Sequence, residues 1–249
     1  MSFLKYQKQN PTILNNYLKY KAYIEFQAKT TIDETYSDLR TLFRYIKLFL
    51  YNEDKVYSIT QQEFKKITID DVSIEDLNKV SKDNLENYIA FLSEKLNNEV
   101  KTRNRKIASV KKFFGYLELN NIINTNPAKN LEYGRIDKKI PKCLDLDKSK
   151  QLLSHTINSN CKFNVRNYTI VCIFLNCSIR LSELTSINLS DIKMDATEQT
   201  IKIHGKGNKE RIIYLNAAVC EAVSAYLKVR PNLPISNKDH NALFISRTI

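Results

Sequence analysis

A short turn that contains glycine is the feature that most constrains how this chain can fold. The sequence has only four glycines, and two of them stand in Gly205-Lys206-Gly207-Asn208. Glycine adopts a positive φ without steric cost, so a chain this poor in glycine tends to place it where the backbone requires it. Residues 201–214 alternate around the turn, with Ile201 and Ile203 on one face, which is typical of strands. We therefore predict a β-hairpin with Lys206 at its tip, although a surface hairpin that uses its polar residues only for solubility fits the same pattern.

The composition narrows the class of protein. With 249 residues, 43% hydrophobic and 27% charged, the chain is long enough for one large or two ordinary domains and is typical of a soluble globular protein. It has no uninterrupted apolar run of about 18 residues, so we expect no membrane span and no membrane partner. The N-terminus lacks the apolar core of a signal peptide, which predicts a cytoplasmic location.

The cysteines give no sign of a metal site. Their number, five, is odd, and no Cys-x-x-Cys pair has a second Cys or His pair that would complete a zinc site. Buried free thiols are the simpler interpretation. It applies to Cys143, Cys161, Cys172, Cys177 and Cys220.

The net charge favours a polyanionic partner. Lys and Arg number 39 against 27 Asp and Glu, which gives a formal net charge of +12. A positive potential of this kind attracts polyanions and accelerates encounter with them. A chain rich in Lys, Asn and Ile can also be basic because of codon bias in its genome. The positions of the charged residues must therefore distinguish a polyanion-binding surface from a compositional bias.

Most of the chain outside the hairpin has the apolar period of helices. The segment Thr31-Ile-Asp-Glu34 has the form of a capping box and predicts the start of the second helix. Residues 52–73 give no pattern that we can assign. The predicted helices cover about 12–28, 31–50, a short stretch from 74, a longer one after 81, 102–119, 147–157, 165–177 and 217–229.

The helix predicted at 102–119 has two faces of different composition. Ile107, Val110, Phe114 and Leu117 project to one side, at positions spaced 100° apart. A basic face opposite an apolar one suits a helix that lies in or along a DNA groove. A solvated helix face has the same composition, so both interpretations stay open for the three basic residues, Lys101, Arg105 and Lys112.

A linker divides the chain into two predicted domains. Asn126-Pro127 closes the helical region, and Gly134, Pro141 and several charges follow it. We place the linker at 133–142, between a helical domain at 1–132 and a second domain at 143–249.

One arginine of the second domain stands in a costly position. Arg180 lies between a strongly apolar helix and a second short helix, in Ser-Ile-Arg180-Leu-Ser-Glu183-Leu. A guanidinium cannot lose its charge, so such a position requires an anionic partner. Glu183, one turn later, is the simplest partner and by itself would make Arg180 a structural residue.

These motifs together resemble a known family. Ser-Ile-Arg-Leu-Ser-Glu-Leu, then Asp191-Ile, then Ile-His-Gly-Lys-Gly-Asn-Lys-Glu-Arg resembles the catalytic domain of tyrosine recombinases, especially Xer-type recombinases and phage integrases. The order and spacing match over about 165–228. The resemblance implies a mainly α fold: an N-terminal helical, SAM-like core-binding domain, followed by the first part of a mixed α+β catalytic domain with a small β-sheet or hairpin.

The resemblance also implies a chemistry. In this family two domains clamp duplex DNA, and a tyrosine attacks a backbone phosphate. Arg180 matches the first catalytic arginine, which holds the scissile phosphate, and Lys206 matches the hairpin lysine, which protonates the leaving 5′ oxygen. The cations stabilise the pentacoordinate phosphorus, so no cofactor or metal is expected. Glu183 and Asp191 match structural supports, and Lys209 and Arg211 are candidate DNA contacts beside the turn.

The expected partners are double-stranded DNA and other recombinase subunits in a synaptic complex. The sequence departs from the family after the hairpin, because no His-x-x-Arg element occurs at His155, His204 or His240. Tyr214 and Tyr226, the only tyrosines after the turn, lack the context of the nucleophile.

We therefore expect a C-terminally truncated recombinase that binds DNA weakly and does not cleave it. Two alternatives stay open. One is a DNA-binding module that modulates a full-length recombinase, and the other is a helical scaffold whose charge reflects only its composition.

Overall fold

The chain forms two units, Met1–Lys139 and Ile140–Ile249. No helix among the described residues is long and apolar enough to cross a membrane. The computed structural model describes residues 7–137, 140–195, 197–205, 207, 209–230 and 240–245.

The described part of the first unit consists of helices joined by turns and loops, without a strand. Two long helices, α2 (Lys29–Tyr51) and α6 (Val100–Leu119), pack against each other, and α1 (Thr12–Tyr23) and α5 (Lys82–Glu94) pack beside them. Phe113 on α6 is fully buried and contacts the rings of Tyr17 and Phe43, with ring centroids 5.2 and 5.5 Å apart. The helices are α1 Thr12–Tyr23, α2 Lys29–Tyr51, α3 Gln61–Lys66, α4 Ile74–Asn78, α5 Lys82–Glu94 and α6 Val100–Leu119.

The capping box predicted at Thr31 was wrong. Helix α1 ends at Tyr23, and α2 begins at Lys29, so Thr31 lies inside its first turn. The backbone N–H of Ile32 already donates to the carbonyl of Ala28 at 3.1 Å, which starts the helix earlier than the predicted box.

A true capping box lies in the segment that the pattern left unassigned. The Thr60 hydroxyl accepts from the Glu63 N–H at 3.3 Å, and the Glu63 carboxylate accepts from the Thr60 N–H at 2.9 Å. These two bonds satisfy backbone donors at the start of the short helix α3.

One charged cluster is buried between α2 and α6. The Asp38 side chain is 1% exposed and accepts from Arg105 at 2.7 Å, Lys106 at 3.2 Å and the Ser109 hydroxyl at 2.9 Å. Burial lowers the pKa of Lys106, while the Asp38 carboxylate acts in the opposite direction. A buried carboxylate with two cations ties the two long helices together.

In the second unit, helices α8 (Asn164–Cys177) and α10 (Ala217–Val229) and a three-stranded sheet enclose the core. The strands are antiparallel in the order β1-β2-β3. Ile201 and Ile203 on β2 are 1% exposed and face Val223 and Tyr226 of helix α10 within one apolar cluster. The elements are α7 Leu146–Ile157, α8 Asn164–Cys177, α9 Leu181–Thr185, β1 Ile192–Met194, β2 Gln199–His204, β3 Glu210–Tyr214 and α10 Ala217–Val229.

The last described segment, 240–245, is held by donated hydrogen bonds. The buried Arg230 guanidinium donates to the carbonyls of His240, Ala242 and Leu243 at 2.8, 2.6 and 3.2 Å. Ala242 also forms an antiparallel bridge with Asn188. The predicted fold class, mainly α with a small sheet, is confirmed.

The Asp38 cluster gives a stability prediction for the first unit. We expect Asp38→Ala to lower the free energy of unfolding by about 3–5 kcal/mol, because it leaves the buried Lys106 ammonium without its carboxylate. Urea denaturation followed by circular dichroism measures the change.

The matched control is Asp71→Ala. The ion pair of Asp71 with Lys47 has a 2.6 Å contact, but the Asp71 side chain is 62% exposed. Its loss should cost less than about 1 kcal/mol. Equal decreases in the free energy of unfolding in the two variants would show that burial of the Asp38 charge does not determine the decrease.

Candidate functional site

Arg180 stands at the start of helix α9, after a left-handed residue. Ser178 ends α8 with φ of +49°, and Ile179 behind it is buried. The Arg180 N–H donates to Glu183 Oε2 at 2.8 Å, and its Nη1 donates to Glu183 Oε1 at 2.9 Å. The Arg180 side chain is nevertheless 73% exposed. Its base is fixed, therefore, while most of its guanidinium is open to a ligand.

Glu183 joins Arg180 to the hairpin. Its side chain is 3% exposed, and both of its oxygens accept from Arg211 on β3, at 3.0 and 2.9 Å. The hydrogen bonds from Arg211, followed by the one from the Arg180 backbone, lower the pKa of Glu183 to about 2. The Glu183 carboxylate in turn raises the pKa of Arg211. The cluster is thus two arginines that share one carboxylate, with a net charge of +1.

The turn begins close to this cluster. A Cβ placed on Gly205 would lie 3.3 Å from the Lys209 carbonyl oxygen and 3.5 Å from Glu183 Oε1. Only glycine lets the backbone approach so closely without a shift of its neighbours. Gly207 has φ of +76°, and the Gly205 N–H donates to the Lys209 carbonyl at 2.7 Å. The predicted catalytic residue Lys206 lies outside the described residues.

A second carboxylate cluster holds the other side of the hairpin base. His204 Nε2 lies 3.2 Å from Asp191 Oδ1, and its Nδ1 lies 3.2 Å from Glu210 Oε1. Burial acts to raise the pKa of Asp191, but hydrogen bonds from the Asn188 backbone and from His204 outweigh it and lower that pKa. Lys202 adds a 2.8 Å contact to Glu210. The turn is therefore flanked by side-chain contacts to two earlier segments, around Glu183 and around Asp191.

His204 is a site residue that sequence reasoning missed. The signal was available, because His204 and Glu210 are direct partners across the β2–β3 register. Side chains directly opposite each other in an antiparallel pair are close enough to interact.

The predicted DNA contacts differ in their surroundings. Arg211 is bound to Glu183, and Arg105 to Asp38, although 42% and 43% of their side chains are exposed. Lys209 beside the turn is exposed. Lys101 and Lys112 on α6 are exposed and have no ion-pair partner among the described residues.

Residues 142–248 match the profile of the phage integrase family. The chain belongs to this family, the tyrosine recombinases. Within it the chain is XerC-like, since it is 37% identical, over 100% of its length, to tyrosine recombinase XerC of Caldanaerobacter subterraneus subsp. tengcongensis. It is also 31% identical, over 67% of its length, to tyrosine recombinase XerD of Rickettsia bellii. The chain spans 66% and 55% of the lengths of these two relatives.

Solved structures share the fold. XerH site-specific recombinase, in a post-cleavage complex with palindromic difH substrate, aligns over 87% of this chain and 56% of its own, with a TM-score of 0.61 at 19% identity. The Tn1549 transposon integrase in complex with circular intermediate DNA aligns over 82% of this chain and 70% of its own, with a TM-score of 0.54 at 17% identity.

The pKa of Glu183 gives a pH prediction. In the unfolded chain the carboxyl titrates near its ordinary 4.5, and in the folded chain at about 2. Its contribution to stability is therefore fully present above about pH 5 and decreases as the pH falls toward 2. Glu183→Gln should lower the thermal midpoint at pH 7, and its difference from wild type should shrink on acidification.

Glu198→Gln is the matched control. Glu198 pairs with Lys193 at 3.3 Å, and the two side chains are 39% and 62% exposed, so its loss should change the midpoint little at any pH. Calorimetry between pH 7 and pH 3 measures both variants. A Glu183→Gln difference that is constant or grows with acidity would contradict the assignment.

Proposed function

We propose that this chain binds duplex DNA and supplies part of an active site for site-specific recombination, in which a tyrosine cleaves and rejoins a strand. The observation that carries the proposal is the Arg180–Glu183–Arg211 cluster next to the glycine turn. An exposed guanidinium with a fixed base is a preorganised donor for a phosphate oxygen. Its charge is not neutralised by the shared carboxylate, because the cluster keeps a net +1.

The roles of the site residues follow from this arrangement. Arg180 binds the scissile phosphate and stabilises the charge that gathers on its oxygens during in-line displacement. Lys206 is the general acid for the leaving 5′ oxygen, a role that rests on the family motif. Glu183 and Asp191 are the supports that orient Arg180 and the hairpin. Arg211 acts mainly through Glu183, and Lys209 contacts the DNA backbone.

We also propose that the tyrosine nucleophile is not among these 249 residues. Tyr226 is fully buried, and its hydroxyl donates to the Leu243 carbonyl at 3.1 Å. Tyr214 is 76% exposed, on the edge strand β3 opposite Thr200. Its exposure suits a surface residue, and no base or cation among the described residues contacts its hydroxyl.

We propose that the helical domain at 1–132 is a SAM-like core-binding domain that contacts DNA, that 133–142 is the linker, and that 143–249 carries the catalytic residues Arg180 and Lys206. The basic residues of α6 are the proposed contacts of the first domain, because lysines without carboxylate partners are free to replace counterions on DNA. Other recombinase subunits are proposed partners in a synaptic complex.

The tyrosine environments favour a second candidate function. A chain that binds DNA without a nucleophile can occupy a recombination site and modulate a full-length recombinase. Addition of the chain to a recombinase reaction separates the two candidates, since this role predicts inhibition that depends on the DNA-binding residues.

DNA binding is tested by the salt dependence of affinity. Fluorescence anisotropy with a labelled mixed-sequence duplex should show affinity that falls steeply with salt. The double variant Lys101→Gln/Lys112→Gln should reduce the slope of log K against log salt by about 2, and Arg180→Gln by about 1. Arg105 is left unchanged in the double variant, because its replacement would also remove the ion pair with the buried Asp38.

Lys65→Gln/Lys66→Gln is the control for this experiment, because it removes the same charge from exposed positions on α3. It should leave the slope unchanged. Binding that does not depend on salt, or an equal effect of the two double variants, would count against the proposed DNA surface.

Strand cleavage is tested separately with a nicked suicide duplex. We expect no covalent protein–DNA band on a denaturing gel from the 249 residues. A covalent band that Tyr214→Phe abolishes would identify a nucleophile on β3 and overturn the proposal about the tyrosine.

A further inference from the structure

An exposed apolar tip lies in the loop between helices α1 and α2. Tyr23, Ile24 and Phe26 are 57%, 65% and 85% exposed. Single exposed apolar residues are ordinary on a protein surface, but a contiguous group of them marks a contact surface. This apolar tip, defined as Tyr23, Ile24 and Phe26, is therefore a candidate interaction site.

The backbone at the tip is strained. Phe26 has φ of +48°. At nearly the same angle the described chain elsewhere has small polar residues, Asn97, Asn121 and Ser178, with φ of +50°, +53° and +49°. Asparagine tolerates this conformation, whereas a bulky side chain does not. Strain of this kind persists only where the surroundings impose it, and it is concentrated at binding sites.

Three residues beside Phe26 hold the loop in this shape. The Glu25 carboxylate accepts from Lys21 Nζ at 2.7 Å and from Gln27 Nε2 at 2.9 Å, and the Gln27 N–H donates to the Lys21 carbonyl at 3.0 Å. The tip is thus fixed before it meets a partner, which reduces the entropy lost on binding.

A cleft of about 150 Å³ adjoins the tip, and the formal charge of its lining residues is +1, from Lys21, Arg105 and Lys112 against Glu34 and Asp38. Gln27, next to Phe26 in the chain, lines this cleft together with Arg105 and Lys112 of helix α6. Lys112 and, at the start of α2, Lys29 are exposed cations without a partner among the described residues. The acidic residues that line the cleft are Glu34 and Asp38, and Asp38 is neutralised by Arg105 and Lys106.

We propose that the apolar tip is a DNA-contacting element, in which Phe26 lies against base or sugar edges in a groove while Lys29 and Lys112 meet the adjacent phosphates. The inference rests on the proposed DNA binding and adds an apolar contact to it. A DNA groove offers thymine methyl groups and sugar edges between two rows of phosphates, and side chains such as Phe contact them. An apolar tip bordered by unpaired cations is complementary to that surface.

The test replaces Phe26 with the residue that the chain itself uses at this backbone angle. Phe26→Asn should weaken binding to the labelled mixed-sequence duplex roughly tenfold, since apolar contact is lost. The salt slope should stay unchanged, because no charge is removed. The thermal midpoint should stay equal or rise, because asparagine relieves the strain, so a loss of affinity cannot come from unfolding.

Tyr57→Asn is the control, because Tyr57 is an aromatic residue that is 76% exposed elsewhere in the same unit. It should not change the affinity. Wild-type affinity in Phe26→Asn, or an equal loss in Tyr57→Asn, overturns the inference and leaves the proposed DNA binding intact. If Phe26→Asn keeps its affinity but abolishes self-association in sedimentation, the tip contacts a second copy instead. A wild-type chain without salt-dependent binding overturns both proposals.

Discussion

The hydrogen bonds to the buried Glu183 carboxylate are the interaction on which the candidate site depends. They connect the start of α9 with strand β3, and Gly205 passes beside the same carboxylate. Without the Glu183 carboxylate, the like charges of Arg180 and Arg211 would repel each other. The carboxylate therefore does more than neutralise charge. It fixes the base of an exposed arginine, sets the position of a hairpin, and leaves the cluster cationic.

The first unit also contains a buried carboxylate shared by two cations, but there the carboxylate joins two helices. Asp38 accepts from two cations of α6, but it lies in the interior of a helical domain and holds two long helices in register. A buried ion pair of this type adds little net stability over an apolar pair, yet it is costly to break. Arg105 shows the consequence: a residue on the predicted DNA face also has a structural partner, so its removal changes fold and charge together.

The sequence predicted the elements of the fold better than their boundaries. The hairpin and the helix at 217–229 follow from alternation and helical period, and the structure has them. The capping signal failed at Thr31 and succeeded, unrecognised, at Thr60, although both have Glu three residues later. The difference lies in the preceding chain: the loop before α2 closes on Lys21 and starts the helix at Lys29, which no local pattern reveals.

The contacts of the candidate site could be predicted between residues that are close in sequence. Contacts between segments that are distant in sequence could not. Arg180 and Glu183 are one helical turn apart, so their pairing follows from spacing alone. The bidentate contact of Arg211 requires β3 to lie within side-chain reach of α9, and His204 reaches Asp191 only because β1 pairs with β2. These long-range contacts hold the base of the hairpin, at His204, Glu210 and Arg211, through side chains of two other segments. Preorganisation of this kind is what electrostatic catalysis requires.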